Sequence, residues 1–197
     1  MHVWRGDRHV LRGVNLSAHP GEVVHVAGPN GTGKTTLLRV LSGLLQPEEG
    51  EVRWQGTSIN RQRDEYGASM SYLGHENALK GDLTAAENLH DGVGVRLKVH
   101  APDIDAVLER VGITRCRDLP ARVLSAGQRR RLAMARVLLA AAPLWVLDEP
   151  FTNLDVKGVA ELSAFIGEHA RQGGTVVLAA HQSLAIPSTT PRLAELD

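Results

Sequence analysis

The segment from Glu22 to Leu45, EVVHVAGPNGTGKTTLLRVLSGLL, constrains this chain more than any other. Glu22 to Ala27 reads as a strand buried on both faces, and it runs straight into a glycine-rich turn. An apolar-periodic stretch follows, in which Leu37, Leu38, Leu41, Leu44 and Leu45 share one helical face. That face is expected to pack on a sheet, and the helix is expected to stop near Gly43 to Pro47. Two further runs, Leu144 to Leu147 and Thr175 to Ala180, have the short continuous character of strands covered on both sides. Ala160 to Ala170 is the clearest helix between them and ends at Gly173 and Gly174. The pattern predicts an α/β fold with a parallel sheet and right-handed crossovers. The opening residues to about Leu16, together with the Glu51 to Gly56 stretch EVRWQG, alternate like antiparallel strands and predict a small flanking sheet. Between Thr84 and Ala142 the composition is mostly helical, which predicts a helical lobe over roughly residues 75–142 inside a single domain spanning 1–197.

Composition narrows the function classes. The chain has 197 residues, 43% of them hydrophobic, enough for one core without staples. Lys plus Arg and Asp plus Glu both total 22, so no overall positive field favours a nucleic acid. Cys116 is the only cysteine, which excludes an intrachain disulfide and predicts a buried structural thiol. The longest uncharged apolar run, Val137 to Leu147, contains Pro143 and is about half the length of a membrane span. MHVWRGDRHV has no apolar stretch of the secretory kind, so a cytoplasmic location is expected.

Gly28, Pro29, Asn30, Gly31, Thr32, Gly33, Lys34 and Thr35 fit the P-loop pattern, between the strand and the helix that this reading requires. Glycines let backbone N–H groups converge on phosphate oxygens, and the helix start adds its positive end. Lys34 offers a charge to the β- and γ-phosphates, Thr35 a hydroxyl to magnesium, and Thr36 completes the cradle. The strand Leu144 to Leu147 ends in Asp148 and Glu149. Asp148 is placed to hold magnesium through water and Glu149 to act as general base on the attacking water. These two clusters define a nucleoside triphosphatase and leave its kind open.

Leu124, Ser125, Ala126, Gly127 and Gln128 resemble the signature motif of ABC ATPases, with alanine in place of the first glycine. Locally, Ser125 and Gln128 form a capping box that opens a helix and turns its start into an anion site. The resemblance implies that Ser125, Gly127 and Gln128 meet the γ-phosphate held by an opposite copy, so that a homodimer sandwiches two ATP molecules. Asn153, Leu154 and Asp155 resemble the D-loop at that seam, and His181 follows its strand where the family's switch histidine contacts the γ-phosphate. Trp4 lies thirty positions before Lys34. By resemblance it stacks on adenine, and by its sequence setting alone it is equally a core or edge tryptophan. A kinase with a helical lid leaves LSAGQ and His181 unexplained. A soluble ABC ATPase acting on DNA or ribosomes lacks support from coiled coils or basic excess.

Where most ABC ATPases carry a glutamine after the strand ASMSYLG, this chain has His75. A neutral imidazole can approach a metal there and a protonated one cannot, so lower activity at acidic pH is expected. The stretch YLGHENALKGDLTAAENL, with GEVRWQG, LSAGQRRRLAMARV and LWVLDEPFTNLDVKGVA, resembles the ATP-binding subunits of the cytochrome c maturation transporter, the haem exporter family. The chain's ending soon after HQSL belongs to the same resemblance. It implies ATP and Mg2+ as cofactors and an integral-membrane permease docked near His75 to Leu89. Contact with the cytoplasmic membrane face would then come only through that partner. Relatives carry about one strand of sequence ahead of His2, so the flanking sheet is expected to be incomplete. Transport of another cargo is the alternative, because the nine histidines include no CxxCH haem-attachment motif.

Overall fold

The computed structural model describes residues 1–94, 100–181 and 185–196. The chain opens with an antiparallel pair, β1 (Val3–Arg5) and β2 (Arg8–Leu11), and then β3 (Val23–Ala27) leads into α1 (Lys34–Leu41). A second antiparallel pair, β4 (Arg53–Trp54) and β5 (Thr57–Ser58), precedes α2 (Arg63–Ser69) and β6 (Met70–Leu73). Helices α3 (Ala85–Gly94), α4 (Ala101–Arg110) and α5 (Ala126–Ala140) come next. The chain then alternates through β7 (Leu144–Asp148), α6 (Val156–Arg171), β8 (Thr175–Ala179) and β9 (Arg192–Glu195).

Five strands form one parallel sheet in the order β6-β7-β8-β3-β9. Every residue of β7 and β8 is buried, as parallel strands covered on both faces require. The period-two alternation divides them between two cores. Trp145, Leu147, Val176 and Leu178 pack with Met134 and Val137 of α5 and Leu162 and Ile166 of α6. Leu144, Val146, Val177 and Ala179 pack with Leu37, Leu38 and Val40 of α1 on the other side. A third cluster joins Leu89 of α3, Val107, Leu108 and Ile104 of α4, and Leu132 and Ala135 of α5. Buried Cys116 belongs to it, and burial pushes its thiol up. Helix α5 therefore serves two cores at once, which explains its weak amphipathicity: it has no single solvent stripe wide enough to read.

Several expectations need correction. The flanking strands form two separate pairs, joined by a single antiparallel bridge between His2 and Glu49. Helix α1 ends at Leu41 and turns at Gly43, so Leu44 is left 66% exposed and does not share the buried face of Leu37 and Leu38. Helix α6 starts at Val156, ahead of Ala160, because the Asp155 carboxylate accepts from the Gly158 N–H at 2.9 Å and caps it. Strand β9 and helix α2 lie in segments with no strong period. No helix among the described residues is long and apolar enough to cross a membrane.

Gly167 sits in the interior of α6, where alanine ordinarily stabilises a helix by about 1 kcal/mol over glycine. Here a Cβ would lie 2.3 Å from the carbonyl oxygen of Pro187, backbone that cannot move without disturbing the return to β9. Gly167→Ala is expected to reverse the usual sign and destabilise by about 1–3 kcal/mol in urea denaturation. A variant more stable than wild type would contradict this packing.

Candidate active site

Strand register sets the site. Val26 of β3 pairs with Ala179 of β8, and Ala179 pairs with Asp148 of β7, so these three stand in one row. Glu149 and Gly28 follow at the same carboxyl edge, where parallel sheets gather their ligands. The loop after β3 can take its shape only with glycine at two tight points. Gly28 has φ 147° and lies against the Leu196 carbonyl and the Thr32 hydroxyl, while Gly33 has φ 102° and lies against Leu11 and Val10 of β2. Lys34 opens α1, is buried, and donates from Nζ to the carbonyls of Gly28 at 2.7 Å and Pro29 at 3.0 Å. Its charge thus lies across the loop formed by Pro29, Asn30, Gly31 and Thr32, held to the flanking hairpin by Arg8 donating to the Gly31 carbonyl at 2.9 Å.

Thr35 Oγ1 donates to Asp148 Oδ1 at 3.3 Å, linking the loop to β7. Asp148 is 1% exposed, and its second oxygen, Oδ2, is buried without a hydrogen-bond partner. Such an orphaned carboxylate oxygen is costly unless it serves a cation, and a hydroxyl beside a carboxylate is a donor set that suits magnesium. The residues present therefore fit the ion. Thr36, next along α1, is buried. Glu149 follows with φ 49°, a left-handed conformation that costs a non-glycine residue about 1–2 kcal/mol. The Glu149 N–H donates to the Ala179 carbonyl at 2.9 Å, and its Oε1 lies 3.3 Å from Nε2 of His181. Adjacency of β7 and β8 brings this acid and histidine together.

One residue of the site went unread in the sequence. Arg130 of α5 is 1% exposed, and all five of its guanidinium N–H groups have acceptors. Nε donates to the Pro150 carbonyl at 3.1 Å, and Nη2 to the carbonyls of Asp148 at 2.9 Å and Glu149 at 2.6 Å. Nη1 donates to the Gly74 carbonyl at 2.9 Å and to Asn77 Oδ1 at 3.0 Å. Burial pushes this guanidinium down to about 10, opposed by the nearby charges of Asp148 and Glu149, so it stays protonated at neutral pH. The available signal was position: Arg130 shares a helical face with Ala133, Met134 and Val137, all buried. A charge on an apolar stripe calls for partners.

Ser125 and Gln128 cap α5 reciprocally. The Gln128 N–H donates to Ser125 Oγ at 3.1 Å, and Gln128 Oε1 accepts from the Ser125 N–H at 2.8 Å. Ser125, Gly127 and Gln128 line a surface cavity with Asn153, Leu154 and Asp155. No hydrogen bond or ion pair among the described residues joins them to the Gly28 to Thr36 loop. The Asp155 carboxylate also lies 3.4 Å from Arg131, which donates to Glu161 at 2.5 Å. Trp4 stacks on His9 with ring centroids 3.9 Å apart, so one of its faces is covered. His75 is exposed and makes no hydrogen bond among the described residues, and its loop reaches the acids through Gly74 and Arg130 instead. Gln182, Ser183 and Leu184 of the HQSL stretch lie outside the described residues.

The ABC transporter family profile matches residues 11–152. The cytochrome c biogenesis ATP-binding export protein CcmA of Nitrosococcus oceani is 48% identical over 182 residues, which is 92% of this chain and 83% of that protein. The CcmA protein of Methylococcus capsulatus is 46% identical over 183 residues, 92% of this chain and 88% of its own length. Among solved structures, an ABC transporter ATP-binding protein of Pyrococcus furiosus superposes with a TM-score of 0.83 at 28% identity, covering 96% of this chain and 92% of that one. The cbiO1 protein of Clostridium perfringens, part of the ABC transporter complex cbiONQ, gives 0.72 at 30% identity, with 88% and 72% covered. At these identities and coverages the chain belongs to the ATP-binding proteins of the ABC transporter family, in the group of the CcmA proteins.

Proposed function

We propose that two copies of this chain hold two ATP molecules between them, hydrolyse them, and drive a membrane permease in the assembly that matures c-type cytochromes. One observation carries the reading. Lys34, Thr35, Asp148, Glu149 and His181 converge at one sheet edge, while the capped start of α5 opens onto a different surface beside Asp155. Each copy then presents two half-sites, and a complete site needs the P-loop of one and the signature of the other.

In this scheme Lys34 exchanges its loop carbonyls for β- and γ-phosphate oxygens, helped by N–H groups at the start of α1. Thr35 and Asp148 would hold magnesium, which supplies positive charge against the phosphates when bound. Glu149 accepts the proton of the attacking water, and His181 orients that carboxylate and reaches the γ-phosphate. Ser125, Gly127 and Gln128 of the opposite copy donate to the same phosphate, with Asp155 at the seam. Hydrolysis removes the bridge and the pair opens. Trp4 supports adenine on the face that His9 leaves free, and His75 tunes the loop that senses the permease.

A groove of about 270 Å³ runs between β6 and the helices α3 and α5, lined by Tyr72, Val93, Arg136 and Val137. Its lining falls on either side of His75 to Leu89 in the chain, the stretch taken to dock a permease segment, with the chain held peripherally at the cytoplasmic face of the inner membrane. The names of the relatives support export in cytochrome c biogenesis, and in this scheme haem export or release of a haem-loaded chaperone is the coupled work.

Lys34→Ala is expected to weaken Mg-ATP binding at least about tenfold, since it removes a charge-assisted contact to phosphate. Glu149→Gln should keep binding while turnover falls by about 10²–10⁴-fold, the usual worth of a general base. Size exclusion with ATP should then show a dimer for Glu149→Gln, and a persistent monomer would count against the sandwich. In a deletion strain, covalent haem staining of c-type cytochromes should be lost and should return with the wild-type chain but with neither variant. Cytochromes that persist without the protein would leave the ATPase reading standing and refute the cargo.

A further inference from the structure

Arg130 links three stretches of chain that the proposed hydrolysis needs in fixed relation. Its guanidinium binds the consecutive carbonyls of Asp148, Glu149 and Pro150, and from its other edge it binds Gly74 and Asn77. Glu149 is pinned from both sides as a result. Its N–H is held by the Ala179 carbonyl of β8 and its own carbonyl by Arg130 Nη2, so the left-handed backbone that aims the carboxylate is over-determined. Arg136, two turns further along α5, donates to the carbonyls of Ala78 at 2.9 Å and Asn77 at 3.3 Å. The Gly74 to Ala78 loop is therefore hung on α5 at two points, one of them shared with the acids.

We infer that Arg130 is a positioning residue for hydrolysis, which sets the backbone of Glu149 and transmits displacement of the Gly74 to Ala78 loop to that carboxylate. The inference rests on the reading of Glu149 as general base. A planar guanidinium suits the task because it presents five N–H groups in a fixed fork. Lysine offers three N–H groups from a point charge and can satisfy only part of this set. Because α5 also begins at Ser125 and Gln128, one rigid helix connects the surface beside Asp155, the loop and the acids. Movement of any one of them is felt by the others through this contact.

The test measures kcat and KM for Mg-ATP, together with Tm, for the full chain and for Arg130→Lys, Arg130→Met, Glu149→Gln and the Arg130→Lys/Glu149→Gln pair. Arg130→Lys should lower kcat about tenfold and Arg130→Met about a hundredfold, the scale of a displacement near 1 Å, while KM stays within about threefold of wild type. In the Glu149→Gln background, Arg130→Lys should cost nothing further, because it acts through the group already removed. Folded Arg130 variants with kcat within about twofold of wild type would overturn the inference. So would a loss of kcat and of affinity in the same proportion as folded protein. If Arg130→Met does not fold, Arg130→Lys and the double variant decide. Wild-type turnover in Glu149→Gln would instead overturn the general-base reading, and with it this one. An inactive Glu149→Gln beside fully active Arg130 variants would overturn only the role of Arg130.

Discussion

Parallel pairing of β3, β7 and β8 in one register is the constraint on which everything else depends. Because Val26, Ala179 and Asp148 stand in a row, the loop after β3 and the acids after β7 emerge at one level of the sheet. A slip of one residue would turn Trp145, Leu147, Val176 and Leu178 away from α5 and α6 and would also invert which side chains reach the edge. Burial of both sheet faces therefore protects the chemistry as well as the fold. The apolar residues that stabilise the sheet carry no chemistry themselves, and they fix where Lys34, Thr35, Asp148 and Glu149 meet.

At that edge, charge is placed where water is scarce. Asp148 is buried with one oxygen unpartnered, and Arg130 is buried with every donor used. The two differ in kind. Arg130 is complete as it stands, so it rigidifies the backbone around the acids. The Asp148 oxygen is incomplete, and an incomplete buried carboxylate fits the cation proposed for it. Folding thus invests in one satisfied charge to hold another ready, and the left-handed backbone of Glu149 is the local strain that this arrangement sustains.

The parts legible in the sequence were those coded by neighbouring residues. The Gly28 to Thr35 loop, the Asp148 and Glu149 pair and the Ser125 and Gln128 cap each lie within a few positions, and their spacing already implied strand ends and helix starts. Arg130 was not legible because its acceptors come from two distant segments, the loop with Gly74 and Asn77 and the run Asp148 to Pro150, that meet only after the sheet forms. The contact between Glu149 and His181 likewise depends on β7 lying beside β8. Strand β9 is short and mostly exposed, so no alternation marked it, and pairing with β3 defines it. Leu44 followed the helical period past the point where Gly43 ended the helix. His75 stood out by its place in the chain, yet it makes no hydrogen bond among the described residues, and Gly74 beside it carries the loop's link to the acids.

The site proposed here, split across two surfaces of one chain, has a kinetic consequence that a self-contained site lacks: it would be complete only when copies meet. The most direct measurement is the specific ATPase activity of the full chain over a wide range of chain concentration, with association followed in parallel by sedimentation. Activity per chain is expected to rise with concentration and to level off where dimers predominate in Mg-ATP. Full activity per chain at concentrations where sedimentation finds only monomer would contradict the shared site.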